Sequence, residues 1–330
     1  MPVPSPPPPV RLVDIQVAQV AKSADGGSPT AHAAIALNGS TADVVATTSF
    51  RLTFDRFLLP TATFRQSVCL QPVLGLVTAA ASCARGVTLE PAYDPVLRRI
   101  TYRQPATSAG LAPGTRYTIS VFPPPDDGTT NGIQAFDGAP LDRAVSREFT
   151  TRDSEPAGTV VEPPPSVDFC AALDGDVFKA TCAAGGCHTG SGPADHGVVL
   201  GPAAGLDFSS NAGLQATAVS RVAHGTQTGE HADKGEVSPS RFGRAMPIID
   251  PTRPGNSYLL YKLLSSEANG APGSDAAAEK ARVDEIARLR AAVVVGMPMP
   301  PADGASKPLD QQQLEQISDW ILLGAATSCP

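Results

Sequence analysis

The residues best placed to do chemistry fall within ten positions, "TCAAGGCHTG" at 181–190. Cys182 and Cys187 are separated by four small residues, and His188 follows directly. Two thiols and an imidazole this close support three chemistries. A Cys182–Cys187 disulfide would close a small loop, which Gly185 and Gly186 make feasible, but it leaves His188 unexplained. A structural zinc needs four ligands, usually two close pairs. The second pair is missing here, since the other cysteines stand alone and His196, His224 and His231 lack a close partner of the right kind. Covalent haem attachment uses all three residues: two thiols join the porphyrin edge and the following imidazole ligates the iron. The usual spacing has two residues between the cysteines, and small residues let a longer loop bulge outward. The haem reading is preferred.

A haem iron held by His on one face often takes a Met thioether on the other. "GMPMPPADG" at 296–304 offers one. Flanking prolines would hold Met299 rigidly, whereas a lone Met elsewhere is more often core filler. Met299 is therefore the expected second ligand and Met297 the alternate. Phe178, shortly before the cysteines, and Trp320 are expected to pack against each other and the porphyrin.

These residues need elements to position them. "VDFCAALDGDVFKATC" has helical spacing of apolar residues ahead of the cysteine pair, and "GNSYLLYKLLSS" reads as a helix capped at Asn256 or Ser257. "ARVDEIARLRAAVVVG" is helical for its first turns. "LDQQQLEQISDWILLGA" is the clearest helix: Asp310 caps it, Leu314, Ile317 and Ile321 share a face, and Gly324 ends it. The N-terminal part reads differently. "RLVDIQVAQV", "SFRLTFDRFLLP" and "GTRYTISVFPP" suit a pleated surface, punctuated by "LNGS", "YDPV" and "PDDGTTNG". The expected organisation is a proline-rich spacer at 1–9, a β-sandwich at 10–151, a linker at 152–166 and a haem domain at 167–330. Length fits about two domains. With 33 Pro, 30 Gly and 5% aromatics in 330 residues, loop-rich domains are favoured over a helical bundle.

Composition also excludes classes. A net charge of −7 argues against nucleic acid as a partner. No apolar run is long enough to cross a bilayer. "GTQTGEHADKGE" reads as a solvated loop rather than a metal site, and "DGTTNG" and "DGAPLD" lack a calcium-loop pattern. There is no nucleophile elbow, phosphate loop or evident acid–base pair, so an enzyme is not expected. Cys69 and Cys83 flank a hairpin-like segment, and a bridge between them is favoured over two unpaired buried thiols.

Together, "VFKATCAAGGCH", "GLDFSS", "IIDPTRPGNSYLLYKL", "MPMPPADG" and "LEQISDWILLGA" resemble the divergent single-haem c-type cytochrome domain found in exported proteins of planctomycetes and myxobacteria. That resemblance covers residues 166–329. It implies that Cys182 and Cys187 form the thioethers, with His188 the proximal and Met299 the distal ligand of one covalent haem c. Met246, in "GRAMPIID", and His224 rank below Met299 as distal ligands. In the same resemblance the first and last helices meet, so Cys170 and Cys329 could be bridged. Residues 10–151 resemble bacterial immunoglobulin-like domains of surface proteins, on "SFRLTFDRFLLPTATFRQSVCLQP", "YDPVLRRITYRQPA", "LAPGTRYTISV" and "REFTT". The fold class implied is multidomain: an all-β immunoglobulin-like sandwich followed by a mainly α cytochrome c-like domain.

The function expected from this is single-electron transfer to a redox partner protein, with the β domain positioning the haem or attaching it to a surface. No secretory leader is visible, and one removed earlier is expected, since covalent haem attachment in bacteria occurs outside the cytoplasm. That places the protein in the periplasm or on the outer surface of a Gram-negative cell, with outer-membrane or cell-surface association. The rival reading is a cell-surface interaction protein whose haem is structural or ligand-sensing.

Overall fold

The computed structural model describes residues 6–20, 32–39, 41–63, 67–73, 83, 86–125, 132–154, 165–184, 187–189, 194–195, 198–199, 205–223, 246–294, 298–300 and 307–328. The chain divides into two compact units, Met1–Asp94 with Arg98–Pro164, and Pro95–Leu97 with Pro165–Pro330.

The first unit is built from nine strands: β1 Leu12–Val20, β2 His32–Ala36, β3 Thr41–Val44, β4 Phe50–Phe54, β5 Val68–Pro72, β6 Glu90–Asp94, β7 Arg99–Arg103, β8 Arg116–Val121 and β9 Val145–Thr151. Alternation decides which side chains turn inward. Phe50, Leu52 and Phe54 on β4, and Ile100 and Tyr102 on β7, are buried while their neighbours are not. The strands run in the order β5-β8-β9-β3-β1-β4-β7-β6, with β2 pairing β1. Most pairs are antiparallel, but β3 and β9 are parallel. Three strand spacings separate β4 from β9 along this order, roughly 14 Å in a flat sheet. Yet the rings of Phe50 and Phe149 lie 5.5 Å apart. The sheet therefore curls so that its two halves pack face to face around one core. A Cys69–Cys83 disulfide, Cα–Cα 5.8 Å, joins β5 to the loop before β6.

In the second unit, a π-helix spans Cys170–Cys182. It is followed by the ribbon β10 Ala194–Asp195 and β11 Val198–Val199, then α1 Asn211–Thr217, α2 Tyr258–Leu264, α3 Ala276–Ala292 and α4 Gln311–Leu322. Pro254 opens a short 3-10 turn, Pro254–Asn256, and the apolar run after Ser257 then forms the seven-residue α2. The capping box of α4 is complete: Gln313 N–H donates to Asp310 Oδ1 (2.8 Å), and Asp310 N–H to Gln313 Oε1 (3.1 Å). Leu314, Ile317, Trp320 and Ile321 form its buried face.

The expected fold class does not hold. The strands hydrogen-bond into one continuous sheet instead of the two of an immunoglobulin-like sandwich. The rest of the chain is not a separate, mainly α cytochrome c-like domain. Its described α-helices are few, two of them only seven residues long, and are set among irregular backbone and a two-stranded ribbon. The physical reason is punctuation: of the described α-helices only α3 and α4 run beyond two turns, and the glycine- and proline-rich stretches between the helices are spent on irregular backbone. The segment before the cysteine pair is also π-helical where α-helix was expected.

Candidate functional site

The π-helix carries Phe178 and ends on Cys182, where Ala183 N–H donates to Phe178 O at 2.8 Å. The chain then turns tightly: Cys187 N–H donates to Ala184 O (3.3 Å) and His188 N–H to Cys182 O (3.2 Å). The second of these bonds returns His188 to the backbone of the first cysteine. From the other side, Phe208 N–H donates to His188 O at 2.8 Å. His188 is held by its backbone at both faces and its side chain is buried.

The His188 ring packs on Phe208, centroids 5.3 Å apart. Phe208 packs on Phe178 at 5.7 Å, and Phe178 meets the Trp320 edge at 5.4 Å. Phe169 completes the group, stacked on Trp320 at 5.3 Å. These separations suit offset and edge contacts, which add about 0.5–1.5 kcal/mol per pair beyond burial. Trp320 is fixed by its indole N–H, which donates to Ala326 O at 2.8 Å.

Phe208 is set by a turn that depends on Asp207. The Asp207 carboxylate accepts from Ser209 N–H (2.9 Å) and Ser209 Oγ–H (2.6 Å), and its own N–H donates to Thr217 Oγ1 (3.0 Å). Ser210 then caps α1 through Gly213 N–H at 3.0 Å. Gly213 must be glycine, because a Cβ there would sit 2.5 Å from the Asp207 carboxylate.

Cys182 and Cys187 are both free thiols, each partly buried. Burial pushes the Cys182 thiol up to about 12, and the neighbouring Cys187 adds to the rise. Cys69, Cys83 and Cys170 are disulfide-bonded. Cys170 Sγ lies 3.8 Å from Ser328 O; Cys329, the partner expected for it, lies outside the described residues.

Five of the expected site residues thus form one continuous set: Cys182, Cys187 and His188 in the loop, with Phe178 and Trp320 joined to His188 through Phe208. Met299 belongs to another set. Its N–H reaches Lys262 O on α2 (3.5 Å), and its carbonyl accepts from Asn269 Nδ2 (3.0 Å). Buried Asn269 also donates to Leu263 O and accepts from Leu309 N–H, each at 2.9 Å, so it ties α2, the Met299 loop and the start of α4 together. Met246 is buried, its carbonyl accepting from Ala223 N–H. Met297 and His224 lie outside the described residues. Phe169, Phe208 and Asn269 were not singled out by sequence reasoning. Phe208 is the only aromatic of "GLDFSS", the one signal that could have flagged it.

Two free thiols beside a buried imidazole, in a chain whose other described cysteines are bridged, fit the donor set of covalent haem. Among the described residues, no group of three or more His, Cys, Asp or Glu could hold a metal ion. No described helix is long and apolar enough to cross a membrane.

No known protein-family profile matches the chain, and no curated protein matches it. Among solved structures it is similar to the N-terminal part of the bacterial S-layer protein SbsC, at 11% identity and TM-score 0.26, over 45% of this chain and 25% of that one. It is also similar to the S-layer protein rSbsC(31-844), at 12% identity and TM-score 0.26, over 50% of this chain and 17% of the other. The chain thus spans a quarter or less of each of these proteins.

Proposed function

We propose that this is an exported monohaem protein that carries single electrons, with haem c attached at Cys182 and Cys187. One observation carries the reading: of the described cysteines, the two that are free lie in one tight loop, and its closing hydrogen bond sets a buried imidazole beside them. Each thiol holds the group by adding its S–H across a vinyl double bond, forming one S–C and one C–H bond with no oxidant needed. When bound, the haem supplies one-electron ferric–ferrous chemistry. His188, fixed by its two backbone bonds, would ligate the iron. Met299, whose loop Asn269 ties to α2 and the start of α4, would have to reach across from that separate set to be the second ligand, with Met297 the alternate. Ligation by both would favour transfer to a redox partner protein over catalysis. Phe178 and Trp320 form the apolar wall. The Cys69–Cys83 bridge supports an oxidising compartment, the periplasm or outer cell surface.

The test is a pyridine haemochrome spectrum, after acid-acetone extraction, on protein made alongside a cytochrome c maturation system. Haem that stays with the polypeptide, and is lost from C182A/C187A, is the expected result. Haem fully extracted from the native sequence would overturn the proposal.

A further inference from the structure

The first unit holds a cavity of about 460 Å³ that the haem reading does not use. It lies between residues 11–15 of the β1 segment and residues 141–147, which lead into β9. Both ends are tied off. At one, Val10 N–H donates to Pro140 O and Asp142 N–H to Val10 O, each 2.8 Å. At the other, Leu37 N–H donates to Ile15 O at 2.8 Å. Five residues of extended chain span roughly 16 Å. The cleft is therefore bounded, sized for a compact ligand and not for a strand running through.

Its lining has three chemistries. Ile15, Leu37 and Leu141 lie buried beneath the cleft, so it opens onto only a small apolar surface. Above it, a register shift in β1 between Leu12 and Asp14 turns Val13 outward, where it is 65% exposed. A bulge of this kind re-aims a side chain at the cost of ladder pairing. The rim carries three exposed guanidinium groups, Arg11, Arg143 and Arg147. Two acids, Asp14 and Asp142, stand among them, and Asp14 is held in place by Gln16 Nε2 at 2.7 Å from its Oδ2.

We propose that this cleft binds a sugar acid. Guanidinium forks match a carboxylate bidentately. The two aspartates accept hydrogen bonds from ring hydroxyls. Val13, the exposed apolar side chain at the rim, meets the C–H face of the ring. A bare inorganic anion would face both aspartates and leave the apolar surface unused. A neutral sugar would leave the rim's excess positive charge, three guanidinium groups against two carboxylates, uncompensated. A carboxylated sugar satisfies all three chemistries together.

Calorimetric titration of the full chain with digalacturonate tests this, beside neutral galactobiose, inorganic phosphate and hexaglutamate. Digalacturonate is expected to saturate one site, with galactobiose at least about tenfold weaker and added salt lowering affinity. R143Q/R147Q is expected to weaken digalacturonate about tenfold or more, and V13D to weaken it through like-charge repulsion. These side chains are exposed, so unfolding midpoints should stay unchanged, which separates lost binding from lost folding. The proposal is overturned if digalacturonate does not bind, or if galactobiose, phosphate or hexaglutamate binds as well. Unchanged affinity in both folded variants would overturn it equally. None of these outcomes depends on whether haem is attached.

Discussion

Cys182 gives the sharpest test of the loop geometry, because its environment makes an ordinary reagent discriminate strongly between folded and unfolded chain. Its thiol is raised from the usual 9.0 to about 12, by burial first and by Cys187 second. At pH 8 an unperturbed thiol is about one-tenth thiolate, and one at 12 is about one ten-thousandth, so nucleophile concentration falls about 10³-fold. Haem-free protein is alkylated with iodoacetamide at pH 8, folded and in urea, and modification of each cysteine is followed by fragment-ion mass spectrometry. The bridged cysteines stay silent, and Cys182 in the folded chain should react roughly 50-fold slower than in the unfolded one, since the greater nucleophilicity of a high-pKa thiolate offsets part of its scarcity. C187S should keep most of that protection, because burial is the larger cause. Linkage gives an independent reading. A group whose folded pKa lies above its unfolded value contributes stability that is fully present below pH 9 and lost as pH rises towards 12. Unfolding free energy should fall there by up to about 1.4 kcal/mol per pH unit, and C182S should flatten that slope. Folded-state alkylation within tenfold of the unfolded rate, or protection abolished by C187S, would refute this account of the loop.

Trp320→Ala should destabilise the protein by about 3–5 kcal/mol, because it empties a buried site shared by Phe169 and Phe178; urea unfolding followed by circular dichroism checks this. Glu279 is held down to about 2, chiefly by its hydrogen bonds from Arg282 and then by Gly273 N–H, so its contribution is present above pH 4.5 and lost as pH falls towards 2. E279Q should remove that part of the acid dependence of the urea midpoint; an unchanged acid limb would count against the Arg282 contact. Cys83→Ser opens a bridge with a sequence separation of 14 and should cost about 3 kcal/mol by the loop-entropy argument, read as a lower denaturant midpoint.

What the sequence determined by itself is what local periodicity and adjacency can encode. Phe50, Leu52 and Phe54 alternate, so β4 and its inward face were legible. Asp310, Gln313 and the apolar stripe up to Ile321 define α4, because capping and the 3.6-residue period act within a few residues. The contiguity of Cys182, Cys187 and His188 made the chemistry of the loop readable. Tertiary structure alone decided the rest. Whether β3 lies parallel to β9, making one sheet of two expected halves, depends on edges brought together from about a hundred residues apart. Phe208 joins His188 through a ring contact and a backbone bond that no sequence period announces. Val13 and the arginines at 143 and 147 share a cleft because Val10 pairs with Leu141, while β1 slips by one residue against β4 between Leu12 and Asp14. Short-range signals set what each segment can become, and the pairing of distant surfaces in one core sets which side chains finally share a site.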